Sequence, residues 1–372
     1  MKTAIAPDPR DAKAAFWPDV REMALARFKA SAWAPRNADF GKRVDWSVFG
    51  LEGREGAGNP IDYGLSPGLS AIRPKLSDLP PWASDLLREW IGKNADDRLA
   101  MFALSQADEP FLLDAGTGDH SVEAPLKGLS VPLIFLRVAQ GKNAALMLHL
   151  RAEAGAFSMP IVLARVEASS SLSLGLAMES SGGVLASIQV FSDSSADSNL
   201  SVFQKFDGFT TLRSVSRLRL LSGGATANVG AAWSCRDGQT ADMAVFQDHE
   251  SPNAKSRALY KGLAASGGRS VFQGLITVNP GASGTDAYLA NRNLLLDGNS
   301  RAESLPQLKI ANGDVRCSHG STTGRIDEEQ LFYLMSRGFS RDEAMSILSA
   351  AFLDGAFSDA PDSIKASLAG TG

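Results

Sequence analysis

Between residues 110 and 320, short and mostly apolar stretches succeed one another, and no helical run of 10–15 residues interposes. Val131 to Val138, Ala144 to Leu150, Ile161 to Val166, Leu172 to Met178, Val184 to Phe191 and Leu212 to Leu221 have strand length and strand composition. A doubly wound α/β sheet needs a covering helix at each parallel crossover, so that fold is disfavoured. Sandwich, barrel and β-helix remain. Strand starts recur every dozen or so residues over about 200 positions, without a strict repeat. Gly141, Gly155, Gly175, Gly182, Gly183, Gly223, Gly224 and Gly230 fall between and within the stretches, and small residues suit tight turns and closely stacked coils. The pattern predicts a mainly β core: a single-stranded solenoid of the β-helix kind, with a large antiparallel sandwich as its competitor.

On either side of this core the spacing is helical. Phe16, Trp17, Val20, Met23, Ala24 and Phe28 predict an amphipathic helix within residues 11–30, and Leu86, Leu87, Trp90, Ile91 and Leu99 predict helix over 82–102. The Pro-, Gly- and Asn-rich stretch from Trp33 to Pro81 reads as irregular structure with short helices. After Gly324, Asp327 to Gln330 has N-cap spacing and leads into Leu331, Phe332, Leu334 and Met335 before a stop at Gly338. Ser340 to Glu343 repeats that spacing ahead of Ala344, Ile347, Leu348, Ala351 and Phe352, with a stop near Gly355, and residues 358–372 allow a weak last helix. The expected organisation is an N-terminal helical and irregular region over 1–108, the β core over 109–323 and a C-terminal helical region over 324–372.

Composition narrows the function. Charged residues at 21% and apolar residues at 44% exclude a disordered chain. With 37 basic against 41 acidic residues the formal charge is −4, which does not advertise a nucleic-acid surface. The two cysteines, Cys235 and Cys317, form neither a disulfide framework nor a C-x-x-C metal motif, and the compartment is expected to be reducing. The first residues lack a signal-peptide core and the longest apolar runs fall short of a membrane span, so a soluble, cytoplasmic chain without a membrane partner is expected. No phosphate loop, G-x-S-x-G elbow or H-E-x-x-H is present, and ATP hydrolysis by this chain is not expected.

Four histidines can be weighed singly. His120 lies in a polar run that reads as a surface turn, His149 reads as a rim residue of a strand, and His249 sits where a strand gives way to Glu250-Ser251-Pro252-Asn253, a place suited to presenting a side chain. His319 differs, because it stands two residues after Cys317, and on a strand the two share a face. Thiolate and imidazole together suit a soft or borderline metal or nucleophilic catalysis. Two ligands do not complete a tetrahedral site, so a partner chain would have to finish it. A buried cysteine beside a rim histidine is the plainer reading.

The ordered set Tyr260-Lys261-Gly262, Phe272-Gln273-Gly274, Thr285-Asp286-Ala287, Asn291 to Leu296, Pro306-Gln307-Leu308, Asp314-Val315, Cys317-Ser318-His319-Gly320 and Asp327 to Gly338 resembles the SufB/SufD family of iron–sulfur cluster assembly proteins. Pro35-Arg36-Asn37 is faintly similar to that family's N-terminal Pro-Arg segment. The resemblance implies a right-handed parallel β-helix flanked by N-terminal and C-terminal helical regions. It implies pairing with a SufB-like subunit through the β-helix ends, or a homodimer in isolation, and binding of a SufC-like ATPase by the C-terminal helices. The chain would then be a non-catalytic scaffold with no cofactor held tightly by itself. The Cys-Ser-His-Gly wording favours the SufD side, where the residue matching His319 lies at the subunit junction and takes part in building a nascent iron–sulfur cluster. Cys317 matches the adjacent family cysteine, and both are the expected cluster-binding residues. Lys309, Asn312-Gly313, Ala290 and Ser321-Thr322-Thr323 depart from the family's usual wording.

Two other functions fit fragments of the sequence. The capped helical pair split by Gly338 could dock on DNA as a helix-turn-helix, although Asp342, Glu343 and Asp354 on its second helix oppose that. A β-helix enzyme acting on polysaccharide would need a groove of carboxylates and aromatics, and the middle region carries few ordered aromatics.

Overall fold

Alternating apolar positions along the middle strands bury one face of each strand in a shared interior, and successive coils repeat that burial in register. The computed structural model describes residues 20–32, 44, 46–54 and 59–369. Strands Gly118–Leu126, Asn143–Ala152, Ser171–Ser180, Asn199–Phe206, Thr226–Cys235, Lys255–Ala264, Thr285–Leu295 and Val315–Gly324 pair in parallel as sheet I. Strands Phe111–Asp114, Leu133–Val138, Ile161–Val166, Val184–Ser194, Phe209–Leu220, Thr240–His249, Arg269–Val278 and Arg301–Ile310 form sheet II in the same way. The chain alternates between the sheets, so each coil contributes one strand to each. This is a parallel β-solenoid, and the antiparallel sandwich is excluded. In the middle coils the stacked partners lie 28 residues apart, as at Asn143 and Ser171. Two strands per coil account for strand starts at about half that interval.

The interior is mostly Leu, Val, Ile and Ala at full burial, with Trp233, Tyr260 and Phe272 in contact near its later coils. Several polar side chains inside bond to one another. Gln204 donates to Ser216 Oγ at 2.9 Å, and Trp233 Nε1 donates to Ser270 Oγ, which donates to Asn293 Oδ1 at 3.0 Å. Gln247 Nε2 donates to Ser256 Oγ at 2.6 Å, and a ring nitrogen of His249 lies 2.8 Å from the same hydroxyl. Such pairing offsets part of the cost of removing these groups from water.

The outer faces are covered unequally. Helices α1 (Val20–Ala30), α2 (Pro81–Asn94) and α3 (Arg98–Ser105) pack on the early strands of sheet II through Phe28, Trp90, Phe102, Phe135 and Leu163. Phe16, Trp17, Trp33 and Pro35-Arg36-Asn37 lie outside the described residues. The single helix expected over 82–102 is two, because Asp97 leaves the helical track and its carboxylate accepts from Ala100 N as the cap of α3. Arg213 meets the same carboxylate at 2.7 Å; burial alone would raise Asp97, but the guanidinium and the α3 amides hold it below its ordinary range. The stretch read as irregular also supplies two short strands, Gly64–Leu65 and Ala71–Ile72, which pair antiparallel onto the first coil of each sheet.

At the other end the chain leaves Val315–Gly324, forms α4 (Glu328–Ser336) and α5 (Arg341–Asp354), and returns along the outer face of sheet I as α6 (Asp362–Ala369). Asp327 caps α4, Gly338 turns the chain at φ +99°, and Ser340 with Glu343 makes the full capping box of α5. Phe357, Ile364 and Leu368 of the returning segment lie on Met147, Ala177 and Phe203. A Cβ on Gly175 would stand 3.0 Å from Ile364 Cγ2, so the missing side chain lets the segment sit close.

His249, read as a residue suited to presentation, is fully buried on the inner face, because its register partner Leu220 faces the core. Burial pushes its pKa down to about 4, against opposing effects of Asp248 and Asp286. The unfolded chain therefore takes up this proton first as pH falls below the ordinary histidine value, and stability present above that value is lost towards the folded one. Chemical denaturation is expected to show a His249 contribution that falls by about 2 kcal/mol between pH 7 and pH 5. The His249→Gln variant should lack that component, which the difference between the two denaturation series measures.

Candidate functional site at the open end of the solenoid

The inner columns of sheet I show why one end of the solenoid differs chemically from the rest. One column runs Leu146, Leu174, Val202, Val229, Ala258, Leu289 and ends on His319. Its neighbour runs Ala144, Leu172, Leu200, Ala227, Ser256, Ala287 and ends on Cys317. In every earlier coil these positions are buried by the next coil. Among the described residues no strand follows Val315–Gly324 in sheet I or Arg301–Ile310 in sheet II, so each presents an unpaired backbone edge.

Cys317 is half-buried against the core, and His319 beside it is exposed. The expectation that both face the same way is met. Register places Pro306, Leu308 and Ile310 of sheet II on the inner side of the last coil, opposite the two residues, because their partners Gly274, Ile276 and Val278 face the interior. Leu308 and Ile310 are each 39% exposed, which makes an apolar border to the thiol and imidazole. Lys309 points to the outer face, so its charge does not enter this layer. Ala290 is likewise an outward position, buried on the outer side of sheet I.

Burial raises the Cys317 pKa, and Asp286 adds to the effect while the Ala287 amide opposes it. The group rests as a thiol that metal binding would deprotonate. Cys235 is not brought near it: that residue lies inside sheet I at the far end of Thr226–Cys235, paired with Ala264, and its thiol is pushed up to about 12 by burial. His120 stands on Gly118–Leu126 with Nε2 3.1 Å from Gly116 O, and His149 is half-buried on the outer face of sheet I. Among the described residues no three His, Cys, Asp or Glu side chains gather as a metal site. The open-end layer supplies two potential ligands and needs others from outside the chain.

A second surface lies on α4 and α5, whose apolar spacing suits either a packed face or a partner contact: Phe332 is 73% exposed, and Tyr333, Met335, Phe339 and Ile347 are also exposed. Leu331 and Ala344 are buried, and α5 is held to the solenoid at its C-terminal end, where Phe352 and Leu353 meet Leu263 and Leu294. Lys261 Nζ donates to Phe352 O at 2.8 Å and caps that last turn. Among the described residues no helix is long and apolar enough to cross a membrane.

Thiol labelling tests the contrast between the cysteines. In the native chain at neutral pH, a maleimide should label Cys317 slowly and leave Cys235 untouched until denaturant is added. Mass spectrometry of the Cys317→Ser variant should accordingly show no native-state labelling.

Comparison with known proteins agrees with this architecture. Residues 122–352 match the family described as SUF system FeS cluster assembly, SufBD core domain. The iron–sulfur cluster assembly protein SufD of Escherichia coli is 41% identical over 114 residues, which cover 31% of this chain and 27% of that protein. An iron–sulfur cluster assembly SufBD family protein of Mycobacterium leprae is 35% identical over 153 residues, covering 39% of each chain. The matched segments thus span well under half the length of these relatives. With the core-domain match extending over more than half of its length, and with a parallel solenoid in the matched region, the chain belongs to the SufBD family.

Proposed function

We propose that this chain is a non-catalytic, SufD-like scaffold subunit of an iron–sulfur cluster assembly complex. Its open solenoid end pairs with a SufB-like subunit, and the nascent cluster is built as cargo at that junction. The observation that carries the reading is the placement of Cys317 and His319 side by side where two apolar columns stop at an unpaired strand edge. A thiolate and an imidazole are both iron ligands, and the coordination that they leave open falls to the partner. Pairing along Val315–Gly324 satisfies the edge amides and carbonyls and covers Leu308 and Ile310. Without a SufB-like subunit, the same edge serves a second copy of this chain.

A SufC-like ATPase takes the helical pair. Its exposed Phe332, Tyr333, Met335 and Phe339 supply the apolar and aromatic anchors of a protein interface. Lys261 joins the last turn of α5 to strand Lys255–Ala264, which is followed in sheet I by Thr285–Leu295 and then by the strand of His319. Movement imposed on the helices is therefore applied to the coils beneath the cluster site. DNA docking by the pair is opposed by the acids Asp342 and Glu343 in the first turn of α5.

Reconstitution with SufB-like and SufC-like partners tests both surfaces. His319→Ala should leave the complex assembled and lower cluster yield by about tenfold, read from visible absorbance and iron content. Phe332→Glu should release the ATPase subunit on gel filtration while pairing at the open end persists. Unchanged cluster yield in His319→Ala would remove the proposed role of that residue.

A further inference from the structure

The outer face of sheet I beside the open end carries a concentration of positive charge that the scaffold reading does not use. The outward positions of its last three strands are Lys255, Arg257, Leu259, Lys261 and Leu263, then Asp286, Tyr288, Ala290, Arg292 and Leu294, then Arg316, Ser318, Gly320, Thr322 and Gly324. They contain five cations and one carboxylate. Lys261 is spent on the α5 cap, whereas Lys255, Arg257, Arg292 and Arg316 are exposed. Arg257 pairs with Asp286 at 2.9 Å, and register sets Lys255 and Arg316 on either side of that acid. Asp286 is held below its ordinary range first by its hydrogen bond from Arg257, with Arg316 and Lys255 contributing, so three cations converge on one carboxylate. Tyr288 stands among them, 39% exposed, with its hydroxyl beneath Gly320. Helix α5 covers only the far ends of these strands, at Leu263 and Leu294.

We infer that this face is a docking surface for an acidic protein surface, seated beside the cluster junction. Charge complementarity selects the partner: a local excess of four exposed cations over one acid on a chain of net charge −4 attracts an acidic face and steers its approach. Exposed tyrosine flanked by arginines is the composition of protein interface anchors. The residues lie on an extended sheet face, which matches a macromolecular surface. Four cations are fewer than the roughly six to ten phosphate contacts that drive nucleic-acid binding. Arg316 and Ser318 alternate with Cys317 and His319 on one strand, so the docked partner reaches the opposite side of the strand that bears the cluster residues.

A fluorescein-labelled peptide of ten glutamates is a direct probe, with a DNA duplex of equal charge as the comparison. By fluorescence anisotropy the full chain should bind the peptide at low salt and lose about tenfold in affinity between about 50 and about 200 mM salt. The Lys255→Glu, Arg316→Glu double variant should lose binding by at least about tenfold, while Lys142→Glu, on an exposed turn elsewhere, should bind as the parent does. Circular dichroism of each variant checks that the solenoid is intact. Equal peptide binding by the double variant, no binding by the parent, or tighter binding of the duplex than of the peptide would overturn the assignment. The readout involves neither cluster nor pairing, so its failure leaves the scaffold reading untouched.

Discussion

Parallel stacking in register is the constraint on which everything else in this molecule depends. Each coil satisfies its backbone through the coils before and after it, so the solenoid can grow indefinitely but cannot close on itself. Its two ends must be treated separately. Gly64–Leu65 and Ala71–Ile72 turn antiparallel over the first coil, and the N-terminal helices cover the adjoining face of sheet II. Among the described residues nothing equivalent covers the last coil, where the chain leaves along the outer face of sheet I. An exposed edge with half-exposed leucine and isoleucine is a liability in a solitary protein. In a subunit it is half of a joint.

The same repetition explains how a thiol and an imidazole come to lie at that open edge without distorting the fold. Cys317 and His319 occupy positions that are apolar or small in earlier coils, and they add no new backbone geometry. They are left uncovered because, among the described residues, no strand follows. On the opposite side of the sheet, the pitch of the coils brings α5 against Leu263 and Leu294 while the strand starts stay open. Lys261 fastens α5 to this outer face, because its ammonium ends on the last-turn carbonyl of the helix.

The strands and helix caps were legible because their signals are local. Ile161–Val166 matches its apolar run residue for residue, and Asp327, Ser340 and Glu343 cap helices as their spacing requires. The repeat was not legible, because residues stacked in one column share burial and little else, as Leu200, Ala227, Ser256, Ala287 and Cys317 show. His249 was misplaced for the same reason: the polar residues after it look like a rim, while its column neighbours Leu220 and Val278 place it inside. Cys317 and His319 could be assigned to one face from their spacing, but whether that face ended in solvent depended on which strand came last. The exposed side of α4 and α5 was also beyond periodicity, which gives the same pattern for a helix packed on its own core and for one awaiting a partner.

Hydrogen exchange of the backbone amides in Val315–Gly324 tests the open end most directly, measured in the isolated chain at low concentration and again with the proposed SufB-like subunit. The account predicts that the edge-facing amides of this strand exchange fast alone and become protected in the complex, together with those of Arg301–Ile310. A complex that forms while both strands go on exchanging as they do in the free chain would contradict it.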